Sequence, residues 1–101
     1  MDGNPRAELE INNVSVELNA FAEQFLARTV VGAISSLKGT DDIRELELYL
    51  AQGDARVVVN GNELPLTPFP KEILTSTMIG SVSSLKGVSS IDSLKITVKA
   101  Q

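Results

Sequence analysis

The chain is 101 residues long, which fits one domain with one core, and its hydrophobic (43%) and charged (22%) fractions are ordinary for a globular protein. It has no histidine and no cysteine, which excludes disulfides, thiolate metal sites, cysteine nucleophiles and catalysis by a histidine base. The net charge of −4 and the absence of a long apolar stretch argue against nucleic acid and membranes as partners, so we expect a cytoplasmic protein.

The first predicted element is a hairpin. Apolar and polar residues alternate from Ala7 to Leu18 on both sides of Asn12 and Asn13, and asparagine tolerates the positive φ of a tight turn. A single bent strand is the alternative for this segment.

The second predicted element is a helix from Asn19 to Lys38. Asn19 is a favourable N-cap, and the apolar residues after it recur every three or four positions, which is typical of a helix with one buried face. Lys38 and Gly39 suit its end, because a cation is stabilised by the carboxyl end of the helix dipole and glycine adopts the left-handed conformation that stops a helix. The residues expected on the buried face are Phe21, Phe25, Leu26, Val30, Ala33, Ile34 and Leu37.

Alternation resumes at residues 43–50 and predicts a strand, which a short connection joins to an antiparallel neighbour at residues 55–59. From there the chain repeats itself with an offset of 48 residues: VVGAISSLKG at 30–39 returns as MIGSVSSLKG at 78–87. The second half is therefore predicted to repeat the hairpin, the helix and the final strand. Its turn is Asn60-Gly61, its N-cap is Thr67, and its buried helix face begins with Phe69, Ile73 and Leu74.

The predicted fold is α+β with two layers. An antiparallel-rich sheet of about six strands carries two helices on one face, and its other face stays open to solvent. The arrangement is a tandem ββαβ duplication with pseudo-two-fold symmetry, in one domain of residues 1–101 whose repeats span about 7–50 and 55–98. Each repeat is too short to fold alone, so the two are expected to share one core.

One segment carries a resemblance to a known family. Over residues 30–59 a helix ends in Leu37-Lys38-Gly39 and leads into an alternating strand, which resembles the crossovers of ferredoxin-like plaits, including heavy-metal-associated domains. The resemblance implies a plait-like topology with an added strand in each repeat. Heavy-metal-associated domains bind metal through a Cys-x-x-Cys motif, which this chain lacks, so we carry over no metal site and predict no cofactor.

Each predicted helix contains a strip of small residues. Gly32 and Gly80 lie at equivalent positions inside the helices, where glycine is about 0.5–1 kcal/mol less stable than alanine. Ser36 and Ser84 follow one turn later. These strips would let another backbone approach closely, whether from the sister helix, the sheet or a second subunit, and packing within the domain is the simplest explanation.

The open sheet face offers one further candidate. Tyr49 is expected there among carboxylates, and we place it with the two glycines and two serines in the candidate interaction surface. Nucleic-acid-binding plaits use several stacked aromatics over a basic surface, and this face does not match that pattern. Glu45 and Glu47 could hold a hard cation, but two glutamates on an exposed strand are more simply solvated.

The residues present favour binding over catalysis. We expect no enzymatic activity and predict a non-enzymatic module for protein–protein interaction or self-assembly, with another protein or a second copy as the partner. Strand edges and strips of small residues are common in such assemblies. The alternative is a small-molecule-sensing regulatory domain that binds a ligand between repeats or subunits.

Overall fold

The computed structural model describes residues 5–38, 43–51, 54–66, 68–86 and 91–99. Within these ranges no helix is both long and apolar enough to cross a membrane. The elements are, in chain order, β1 Arg6–Ile11, β2 Val14–Val16, α1 Ala20–Lys38, β3 Glu45–Ala51, β4 Asp54–Val59, β5 Asn62–Leu64, α2 Pro68–Lys86 and β6 Ser93–Lys99.

The strands form one antiparallel sheet in the order β2-β1-β6-β3-β4-β5. At its centre β3, from the first half of the chain, pairs with β6, from the second half. The pairing extends along seven residues of each strand. Strand β6 separates β1 from β3, and β3 separates β6 from β4. Each half therefore has its own strands divided by a strand of the other half.

The core lies between the sheet and the two helices. Every second residue of β1, β3, β4 and β6 is buried, as the predicted alternation requires. The buried residues of both helices join these strand residues in one cluster, so both helices pack on the same face of the sheet. The predicted α+β fold, with an antiparallel sheet and two helices, is confirmed. The fully buried large side chains are Leu26, Val30, Ile34, Leu46, Leu48, Val57, Leu74, Met78, Val82, Ile96 and Val98.

The first segment is a hairpin and not a bent strand. Strand β1 pairs with β2 over Leu9 to Ile11. The turn residues Asn12 and Asn13 both have positive φ, at 53° and 68°. Positive φ at both central residues is the requirement of a type I′ turn, whose twist matches that of the flanking strands. In the second hairpin Asn60 and Gly61 do the same, at 51° and 84°.

Helix α1 begins as predicted. The Oδ1 atom of Asn19 accepts a hydrogen bond from the N–H of Ala22 at 2.8 Å, and the Asn19 carbonyl accepts from the N–H of Glu23 at 2.9 Å. The other predicted cap, Thr67, lies outside the described residues. The same holds for the terminating glycines Gly39 and Gly87 and for the linkers at 40–42 and 88–90.

The predicted burial of Phe21 and Phe25 is wrong. Phe21 is 69% exposed and Phe25 is 41% exposed, while Ala22 and Ala27 are buried. Successive residues of a helix are separated by about 100°, so a helix that turns Ala22 and Leu26 toward the sheet turns Phe21 and Phe25 away from it. In α2 the equivalent Ile73 is 43% exposed as well, and the side chain of Phe69 lies outside the description.

Polar contacts fix the rotation of α1 at its amino end. The N–H of Ala7 donates to Oε2 of Glu23 at 3.0 Å, and Nε2 of Gln24 donates to the Pro5 carbonyl at 2.7 Å. Strand β2 pairs only with Leu9 to Ile11, so the backbone of β1 before Leu9 has no strand on that side. The helix side chains satisfy this part of the strand edge instead, because a backbone group without a partner would be destabilising.

The turn asparagines tie each half to the other. Oδ1 of Asn12 accepts hydrogen bonds from the N–H groups of Asp92 and Ser93, at 2.7 and 2.9 Å. Oδ1 of Asn60 accepts in the same way from the N–H groups of Arg44 and Glu45, at 2.9 and 3.0 Å. Each turn thereby caps the start of the central strand that the other half supplies.

Two ion pairs occupy equivalent positions with reversed charges. Arg6 of β1 pairs with Glu23 of α1 at 2.8 Å, and Asp54 of β4 pairs with Lys71 of α2 at 2.7 Å. The hydrogen bonds from Arg6 and Lys71 lower the pKa values of the Glu23 and Asp54 carboxyls. Docking each helix on the other half's strand would place Glu23 beside Asp54 and Lys71 beside Arg6. Exposed pairs add little stability, but in that arrangement both would become pairs of like charge.

We predict that Asn12→Gly lowers the free energy of unfolding by about 1–2 kcal/mol, because it removes two hydrogen bonds that cap β6 and leaves the positive φ acceptable. Urea unfolding followed by circular dichroism measures the change. The matched control is Asn13→Gly, which creates the Asn-Gly turn already present at Asn60-Gly61 and removes no comparable bond. Equal losses in the two variants would contradict the capping role of Asn12.

Candidate interaction surfaces

The outer face of the helix layer carries exposed aromatic side chains. The rings of Phe21 and Phe25 stack on each other with their centroids 6.0 Å apart and their planes 24° apart. Along α1 the exposed residues continue through Arg28 to Gly32 and Ser36, each one turn from the last. We call this row the α1 stripe; it is defined by Phe21, Phe25, Arg28, Gly32 and Ser36.

Helix α2 presents an equivalent row. Ile73, Thr77, Gly80 and Ser84 are exposed and follow one another at three- and four-residue spacings, and we call them the α2 stripe. Both stripes have a bulky apolar residue in the amino-terminal half of the helix. Both have a glycine and a serine in the carboxyl-terminal half.

The structure brings the four predicted small residues to the surface and not into the fold. Gly32 and Gly80 are exposed, and a Cβ atom built on either one would meet no described atom of another element within 4 Å. The expectation that these glycines allow close packing against the sister helix or the sheet is therefore wrong. The helices bury alanine, leucine, isoleucine, valine and methionine residues in the core, and they leave Gly32, Ser36, Gly80 and Ser84 outside.

Tyr49 lies on the open face of the sheet, whereas the four small residues predicted to share a surface with it lie on the opposite, helix face of the domain. Its ring is flanked by the guanidinium of Arg56 at 5.8 Å and the ammonium of Lys95 at 5.5 Å from the ring centroid. Its hydroxyl donates a hydrogen bond to Oε1 of Glu47 at 3.0 Å. This bond raises the pKa of Tyr49, because ionisation would lose the bond and place the phenolate beside a carboxylate.

The sheet face around Tyr49 alternates in charge from strand to strand. In the pairing register Glu10 of β1 lies opposite Lys95 of β6, and Lys99 of β6 lies opposite Glu45 of β3. At the far edge Arg56 of β4 pairs with Glu63 of β5, with the Nε and Oε2 atoms 3.1 Å apart. Opposite charges across neighbouring strands stabilise a sheet and largely cancel each other's field. This face is thus polar and balanced, without a broad region of one sign.

A cleft of about 430 Å³ opens beneath α2. Thr75 and Ile91 on its wall are partly exposed, whereas their counterparts in the first half, Ala27 and Ile43, are buried. This part of the wall is therefore less tightly packed in the second half than the equivalent positions are in the first. Its lining is Leu50, Ala51, Asp54, Thr75, Ile79, Ile91, Asp92, Ser93 and Leu94.

Comparison of the sequence with protein-family models and curated proteins, and of the structure with solved structures, gave no match.

Two features of these surfaces were missed by the sequence reasoning. The sequence did contain an indication that Phe21 and Phe25 are exposed. The row of Ala22, Leu26 and Val30 stays apolar through successive turns, as a buried row does. The row of Phe21 and Phe25 continues into the charged Arg28. The cleft had no such signal. It depends on how closely α2 approaches the sheet.

We predict that the single tyrosine titrates above its ordinary pKa of 10.0 and that Glu47→Gln lowers this pKa. Removal of the carboxylate charge leaves Arg56 and Lys95, which favour the phenolate. Absorbance of the phenolate near 295 nm follows the titration without interference, because the chain has no tryptophan. Glu45→Gln, on the same strand but without a bond to Tyr49, is the control; an identical pKa in all three proteins would refute the role of Glu47.

Proposed function

We propose that this chain is a non-enzymatic protein-interaction domain that binds its partner through the outer face of the helix layer. The observation that supports the proposal is the exposed stack of Phe21 and Phe25, together with the half-exposed Ile73 on the neighbouring helix. Fully covering a phenylalanine side chain contributes about 1.5–3 kcal/mol, so two such side chains supply a substantial part of a binding energy. Aromatic residues are also enriched at the centres of protein interfaces.

The chemistry of the chain supports binding over catalysis. It has neither histidine nor cysteine, and several of its polar side chains are engaged in holding the fold. Asn12 and Asn60 cap central strands, and Glu23 and Lys71 hold the helices to strands. The cytoplasm remains our predicted location, and nucleic acid remains an unexpected partner because of the acidic net charge.

We further propose that the domain is a duplication of one ββαβ unit. Each element of the second half begins and ends 48 residues after its counterpart, as Asp54–Val59 does relative to Arg6–Ile11. Reading the strand order from either end gives the same sequence of equivalent strands. Without β2 and β5 the elements run β-α-β-β-α-β, which is the element order of ferredoxin-like plaits. The proposed relation rests on this element order and not on the order of the strands in the sheet, where β1 lies outside the central pair.

A double variant, Phe21→Ser with Phe25→Ser, tests the proposed surface. We expect it to fold, with a modest loss of stability because Phe25 is only 41% exposed, and to lose at least tenfold in recovery of any partner. The measurement is quantitative affinity purification after chemical cross-linking in the protein's own cells, counting an untagged second copy as a partner.

The matched control is Val14→Ser, which removes an exposed apolar side chain from β2, away from the helix layer. A partner recovered equally by the double variant and by the wild type would show that the binding surface lies elsewhere. Recovery of no partner and no second copy by the wild type would count against the interaction function itself.

The cleft beneath α2 supports a second candidate function, the sensing of a small molecule. Its volume of about 430 Å³ lies in the range of ligand sites, and its wall combines apolar side chains such as Ile79 and Leu94 with the carboxylates of Asp54 and Asp92. This lining favours a small amphipathic cation. Leu50 and Ala51 come from the first half and the remaining lining residues from the second, as a ligand between repeats requires.

We predict that short alkylamines shift the amide resonances of the cleft residues in an ¹⁵N-labelled sample, whereas alcohols of equal chain length do not. The difference arises because only the ammonium group is attracted to the carboxylate of Asp92, whereas Asp54 is already paired with Lys71. Thr75→Leu, which fills the cleft, should abolish the response. Equal responses to amine and alcohol, or a response that survives Thr75→Leu, would rule out this site.

A further inference from the structure

Helix α1 begins at β1 and also contacts β6, whereas α2 begins at β4 and reaches the start of β6 with Thr75 and Ile79, so the helices cross the sheet in opposite directions. The amino end of α1 is held at Arg6, the first residue of β1, and the amino end of α2 is held near Asp54, the first residue of β4. Arg6 and Asp54 lie at opposite ends of the sheet, because Arg6 is in register with Lys99 and Asp54 with Ala51. At each end of the helix layer, bulky residues of one helix therefore lie beside small residues of the other.

We infer that a second copy of this chain covers this face, so that α1 of each copy packs antiparallel on α2 of the other. This inference rests on the proposed function and names its partner. A half-turn about an axis that is parallel to the helices and lies between the helix layers of the two copies brings the two faces together. Phe25 then lies opposite Gly80 of the second copy, Phe21 opposite its Ser84, and Gly32 opposite its Ile73.

The exposed glycines support a partner that approaches closely. Glycine inside a helix is less stable than alanine, and at Gly32 and Gly80 no described atom of another element would obstruct a side chain. The fold itself therefore does not require glycine at either position. A glycine at these positions leaves room for an aromatic ring of another chain to pack directly against the helix backbone.

Charge selects which helices meet. Packing α1 against α1 of the second copy also sets large residues over small ones, but it brings the two Arg28 guanidinium groups together near the axis. Packing α1 against α2 places Arg28 opposite Thr77, an exposed neutral residue. Like charges held together in an interface are destabilising, so the second arrangement is favoured.

The area is sufficient for a reversible dimer. A helix of 19 residues is about 28 Å long, and two helices side by side are about 20 Å wide, which gives a face of roughly 560 Å² in projection. Stable interfaces begin near about 600 Å² of accessible surface for each partner, and a corrugated helix surface exceeds its projection. We therefore expect a dimer that dissociates in the micromolar range.

The decisive experiment measures dimerisation and stability together, in the full chain. Sedimentation equilibrium between about 1 and 200 μM gives the dissociation constant, and thermal unfolding at low concentration gives the stability of the monomer. We expect the wild type to dimerise and Gly80→Leu to weaken the dimer at least tenfold without lowering the melting temperature of the monomer. Val14→Ser should leave both quantities unchanged.

Introduced cysteines report the register, because the chain has none of its own. Phe25→Cys combined with Gly80→Cys should form covalent dimers on mild oxidation, and Phe25→Cys combined with Gly32→Cys should not. The reverse result would overturn the proposed pairing of α1 with α2.

Other outcomes also overturn the inference. A wild type that is monomeric at 200 μM, or a dimer that persists in Gly80→Leu, means that this face does not bind a second copy. Capture of another protein through Phe21 and Phe25 would still support the proposed interaction function in that case, so the two proposals fail separately.

Discussion

The fold depends on the antiparallel pairing of β3 with β6 at the centre of the sheet. Because these strands come from different halves, neither half can complete a sheet or cover its apolar face without the other. Other contacts stabilise this arrangement of strands. The side chains of Asn12 and Asn60 cap the starts of the two central strands, each from the opposite half, and the buried residues of both helices fill one core above them.

Because the two halves are similar and interleaved, each helix could in principle pack beside the hairpin of either half. The reversed charges of the Arg6–Glu23 and Asp54–Lys71 pairs distinguish the two choices. Such exposed pairs stabilise the native state only slightly, but a wrong docking would bring like charges together twice. The reversed charges of the two pairs thus disfavour an exchange of the two helices.

The two broad faces of the domain differ in what they offer a partner. On the open sheet face, charges of opposite sign lie across neighbouring strands, and Tyr49 is held between two cations and a carboxylate. The charged and polar side chains of that face thus interact with one another. On the helix face, Phe21 and Phe25 stack on each other, and a side chain added at Gly32 or Gly80 would meet no described atom of another element. The exposed aromatic side chains that a partner could cover therefore lie on the helix face.

The sequence by itself determined the elements, because their causes are local. Alternation along β1 and β3, the positive φ available to Asn12 and Asn13, and the capping side chain of Asn19 all act within a few residues. The rotation of α1 and the placement of the candidate site were decided only by tertiary structure. Glu23 bonds to β1 and Gln24 to Pro5 just before it. Ala22 and Leu26 are buried against the sheet, and Phe21, Phe25 and Gly32 are thereby left outside. Which apolar row of a helix is buried depends on the surface it meets, and that surface is assembled from both halves of the chain.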